Sequence, residues 1–128
     1  MTCATLHYLL DNYGEEAFKD VLTSTAQRVY KTMHEELIRG GCGELEEYWR
    51  HYMEREGGDF ALEKTSCGLK LTVRDCPALR HLAKLGQQPD PILCEATRVF
   101  NEALAAGSPF AARVERTGMF SCVQEVRK

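Results

Sequence analysis

From Glu15 to Arg39 the apolar residues return every three or four positions, as Phe18, Val21, Leu22, Ala26, Val29, Met33 and Leu37. That is the period of one helix face, and the acids at its start and Arg39 at its end suit the helix dipole. At 1.5 Å per residue such a helix is about 37 Å long. A domain this small does not readily cover that length. Part of it is therefore expected to pack against a second copy, making a homodimer through the long N-terminal helix. Ahead of it, Leu6, Leu9, Leu10 and Tyr13 predict a helix over 3–13 that Gly14 stops. After Gly40-Gly41-Cys42-Gly43, the stripe of Leu45, Tyr48, Trp49, Tyr52 and Met53 predicts a further helix over 44–56. Its aromatic residues suit core packing better than the alternative of lining a ligand pocket.

Gly57-Gly58 marks a change of period. Residues 59–65 suit a strand, and Cys67, Leu69, Leu71 and Val73 alternate with Gly68, Lys70, Thr72 and Arg74 as a second. Helices over 77–85 and 91–106 follow. Residues 110–116 and 119–127 then form another hairpin about Thr117-Gly118. On the last strand both Phe120, Cys122, Gln124, Val126 and the alternate set Met119, Ser121, Val123 can face inward. Strands in adjacent pairs predict an α+β fold, an antiparallel four-stranded sheet from two hairpins with helices on one face. One domain is expected over 1–128, with a helical part at 1–56 and the β-rich part at 57–128.

Charge narrows the function classes. Net charge is −3, with acids and bases interleaved, which gives no basic patch for nucleic acid. No apolar run approaches the ~18–20 residues of a membrane span, and the N-terminus lacks a basic start and a long apolar middle. A cytoplasmic protein is expected. The six cysteines include no CxxC pair, and the domain is large enough to hold together without disulfides, so reduced thiols are expected. Cys3, Cys42 and Cys67 read as small apolar packing residues.

The chemistry concentrates between Asp75 and Cys94. Asp75-Cys76-Pro77 and Asp90-Pro91 are both helix-start signals, and each sets a cysteine in or beside a first turn. A thiol there feels the positive end of the dipole, which favours thiolate. Cys94 falls off the apolar stripe of its helix, beside Arg98 and Asn101, so packing explains it least. Two kinds of site are open. In the first, Cys76 or Cys94 attacks an electrophilic carbon while His81 or Glu95 handles the proton. In the second, two or three of Cys76, Cys94, Cys122 and His81 bind zinc, leaving a position open for water if the site is catalytic.

The pieces Cys76-Pro77 to Leu85-Gly86, Leu93-Cys94-Glu95, and Glu115-Arg116-Thr117 leading to Cys122 resemble the L-2-amino-thiazoline-4-carboxylic acid hydrolase-like family over roughly residues 67–127. More distantly they resemble the 4-vinyl reductase domains. The first resemblance implies hydrolytic opening of a cyclic C–N bond in a thiazoline carboxylate, at a site of Cys76, Cys94 and Cys122. The second implies a non-catalytic, generally dimeric sensor or carrier domain with an apolar pocket for a small molecule between sheet and helices.

Overall fold

The structure, a computed structural model, describes residues 2–128. Its elements run α1 (Cys3–Ser24), a π-helical turn (Thr25–Val29), α2 (Lys31–Ile38), α3 (Gly43–Arg55), β1 (Asp59–Thr65), β2 (Gly68–Asp75), α4 (Pro77–Lys84), α5 (Pro91–Ala105), β3 (Ala111–Arg116) and β4 (Cys122–Arg127). The fold is α+β as expected. Two hairpins join through β2 and β4 into one antiparallel sheet of order β1-β2-β4-β3, with the helices on one face.

The break expected at Gly14 is a kink inside α1. Gly14 takes φ 86° and ψ 177°, a conformation that an L side chain resists, and helix resumes beyond it. The long rod then ends earlier than periodicity alone predicts. Between Thr25 and Val29 it slackens into a π turn, closed by Tyr30 N–H on the Thr25 carbonyl at 3.3 Å, and Tyr30 leaves helical geometry at φ −103°, ψ 39°. The length that argued for a partner along this helix is thereby divided. Leu6, Phe18 and Leu22 bury themselves against Ile92, Ala96 and Val99 of α5. Part of the apolar stripe of α1 is thus covered by its own chain, while Tyr13 stays exposed.

The main core lies between sheet and helices. Leu69, Leu71 and Val73 of β2 and Val126 of β4 meet Met33, Leu37, Leu45, Trp49, Met53 and Leu104. The structure decides the face of β4: Val126 is buried, and Cys122 and Gln124 share its side in register with Val73 and Leu71. Asn101 is the buried polar residue of the described chain, and its amide donates to Gln124 Oε1 at 2.9 Å. Satisfying that amide makes its burial tolerable. Gly68 is required where β2 passes β4, because a Cβ there would lie 1.9 Å from the Val126 carbonyl oxygen.

Candidate functional site

Cys76, Cys94 and Cys122 sit at the starts of three elements, α4, α5 and β4. β2 ends at Asp75, and Cys76 forms the N-cap of α4 in extended geometry (φ −74°, ψ 119°) without using its thiol to cap. Asp75, expected to cap this helix, instead pairs with Arg80 Nε at 2.5 Å. The Cys76 N–H donates to the Phe120 carbonyl at 2.7 Å, pinning the helix start to the chain that enters β4. Cys122 opens β4 opposite both Val73 and Arg116. Cys94 is the fourth residue of α5, whose N-cap is Asp90: its carboxylate accepts from the Ile92 N–H at 3.0 Å, as the Asp-Pro signal predicts.

All three thiols are half-buried and free. Burial decides the state of two of them. It pushes the Cys94 thiol up, an effect the Arg116 guanidinium opposes and the neighbouring Cys76 reinforces. Burial likewise pushes Cys122 up to about 11, while a hydrogen bond from Gln124 works the other way and Cys76 and Cys94 add to the rise. The expected thiolate-favouring dipole is outweighed at Cys94, because removing a charge from water costs more than a helix terminus returns. On the α3 side, Tyr52 is raised by burial first and by Cys76 second.

The turn between β3 and β4 is held by Arg116. Arg116 donates from Nε to the Gly118 carbonyl at 3.1 Å and from Nη2 to the Met119 carbonyl at 2.8 Å. Arg80 lies 3.8 Å from the centroid of the Phe120 ring. Arg116, Phe120, Tyr52 and Gln124 had no part in the predicted site. Arg116 stood next to Thr117 in the motif, and Tyr52 stood in an aromatic stripe assigned to packing.

The two candidate proton carriers stand outside. His81 is exposed in the last turn of α4. Glu95, one residue past Cys94, is bound by Arg98, which also donates to Glu102 at 2.8 Å. The hydrogen bond from Arg98 holds the Glu95 carboxyl below its ordinary range, so it stays ionised and occupied. Among the described residues no three His, Cys, Asp or Glu side chains are arranged to hold a metal ion, and the three thiols with His81 are no exception.

Of the other cysteines, Cys42 is buried in the core as expected, and Cys3 and Cys67 are half-buried. Two open grooves lie elsewhere. One, of about 280 Å³, runs between α1 and α5 past Lys19, Gln27 and Arg98; the other, of about 200 Å³, lies beside Tyr30, Met33 and Tyr48. No helix among the described residues is long and apolar enough to cross a membrane. No family model, curated protein or solved structure matches the chain.

Proposed function

We propose that this domain binds a small molecule at the thiol corner and does not turn it over, as a sensor or carrier domain of the 4-vinyl reductase type would. The observation that carries the reading is that burial drives two of the three candidate thiols, Cys94 and Cys122, toward the protonated form. A nucleophilic thiol needs an adjacent base or a lowered pKa. Here the nearest predicted bases are an exposed histidine and an ion-paired glutamate. The protonated thiols of Cys94 and Cys122 instead offer polarisable, weakly polar sulfur that suits a small sulfur- or ring-containing ligand. The free state of all six cysteines supports a reducing, cytoplasmic setting.

The hydrolase reading keeps one observation in its favour: Arg116 opposes the rise at both Cys94 and Cys122, and its guanidinium suits a carboxylate substrate. Titration with L-2-amino-thiazoline-4-carboxylate, followed by calorimetry and by product chromatography, separates the two. Binding without hydrolysis, lost in Cys94→Ala and Cys122→Ala, is the expected result. Hydrolysis abolished by either substitution establishes the enzyme instead. Neither binding nor turnover of this or other small cyclic thio compounds removes both.

A further inference from the structure

The sheet face turned away from the helices carries a charge order with a specific symmetry. Side chains alternate along each strand, so residues opposite the core positions share the outer face. Pairing places Glu63 beside Lys70, Lys70 beside Glu125, and Glu125 beside Arg113. Read across β1-β2-β4-β3, this row is minus, plus, minus, plus. Flanking it on one side is the row Ala61, Thr72, Val123, Glu115, and on the other the row Thr65, Gly68, Arg127, Ala111. The three rows together hold three acids and three bases among small side chains.

Such a row is its own complement under one operation. A two-fold axis parallel to the strands, between β2 and β4, carries each strand position onto its mirror position in a facing sheet. Glu63 then meets Arg113 of the second copy, and Lys70 meets Glu125. In the flanking rows Glu115 meets Ala61, Val123 meets Thr72, and Arg127 meets Gly68, where no side chain stands in its way. No like charges meet. A two-fold axis across the strands, through the central row, would instead set each of that row's charges against itself.

We infer that a second copy of this chain docks on the outer sheet face as an isologous, face-to-face dimer, with Lys70 and Glu125 paired across the two-fold axis. This stands apart from the thiol corner and does not depend on its function. Four strands about 4.8 Å apart and three rows give a flat footprint of about 400 Å² per copy. That is the size of weak, reversible contacts. Charge complementarity of this kind sets orientation and association rate more than depth of binding, and it is sensitive to salt.

Sedimentation velocity over a concentration series tests this. The parent chain is expected to approach twice the monomer mass at an ionic strength of about 0.01 M and to return to monomer at about 1 M, where screening lengths fall from about 30 Å to about 3 Å. Lys70→Glu sets a carboxylate against Glu125 of the other copy, and Glu125→Lys sets an ammonium against Lys70, so each variant alone should stay monomeric. An equimolar mixture of the two replaces those like-charge contacts with opposite-charge ones and should dimerise, which a defect inside either chain would not produce. Circular dichroism checks that each variant folds; Val123→Arg, which fills the centre of the face with a long charge, serves if one does not. A monomeric parent at low salt overturns the proposal. So does a mixture that stays monomeric, or a Val123→Arg chain that dimerises as the parent does.

Discussion

The Cys76 amide and the Phe120 carbonyl meet over 2.7 Å, and through that bond the start of α4 and the approach to β4 become one unit. Because Arg80 lies 3.8 Å from the Phe120 ring centre while pairing with Asp75, the turn between β3 and β4 is held from α4. Arg80 is half-exposed, so this arrangement is worth little to global stability. Its consequence is local access.

Arg80→Ala should therefore raise the alkylation rate of Cys122 about two- to fivefold at fixed pH, the loss of about 0.5–1 kcal/mol of cation–π contact. The melting temperature should barely move. Residue-resolved mass spectrometry after a brief iodoacetamide pulse measures this. An unchanged rate would show that the ring does not restrict access.

Asp90 joins the N-terminal helix to α5. Its carboxylate accepts from the Ile92 N–H and pairs with His7 Nε2 at 2.7 Å, and these bonds, the backbone one first, hold its pKa below the ordinary value. A lowered folded-state pKa gives stability that is full above the unfolded value of about 3.9 and lost as pH falls through the folded one. Asp90→Ala should cost about 1 kcal/mol at pH 7. Asp90→Asn, which still caps, should cost less. The gap between parent and Asp90→Asn should close below about pH 4, and urea denaturation across pH follows it directly.

Two glycines with positive φ make different demands. At Gly14 nothing lies within 4 Å of an added Cβ, so Gly14→Ala pays only for the backbone, about 1–2 kcal/mol. At Gly68 the added atom runs into the Val126 carbonyl. Gly68→Ala should cost well over twice as much and should disturb β2–β4 pairing, seen as lost amide protection from Gly68 to Leu71.

Asn101→Ala should destabilise by about 1–3 kcal/mol, since it strands Gln124 Oε1 at the core margin. Adding Gln124→Leu should recover part of the loss, because removing both partners leaves no orphan. Thermal denaturation of the single and double variants decides it. Equal losses would show that the amide pair contributes nothing.

The fold was legible because its cues were local. Alternation at Leu69, Leu71 and Val73, the glycine breaks, and the prolines at the starts of α4 and α5 mark elements whatever surrounds them. What was not legible depended on contacts distant in sequence. The helix over 15–39 kept its apolar period through Val29, yet Val29 is 73% exposed, because the π turn rotates the chain there. Asn101 lies off the apolar stripe of its helix, and its burial depends on a partner 23 positions on, Gln124. The protonation of Cys94 and Cys122 was not legible: proximity to a helix start can be read from sequence, while the burial that raises both thiols cannot.

The most direct test of the thiol corner is the pH dependence of alkylation at each cysteine. Since only thiolate reacts, a Cys122 pKa of about 11 predicts a rate still rising about tenfold per pH unit between about pH 8 and 10, with Cys94 also titrating above the ordinary value of about 8.5. A plateau at Cys122 or Cys94 below about pH 8.5 would reveal an activated thiolate and contradict the account.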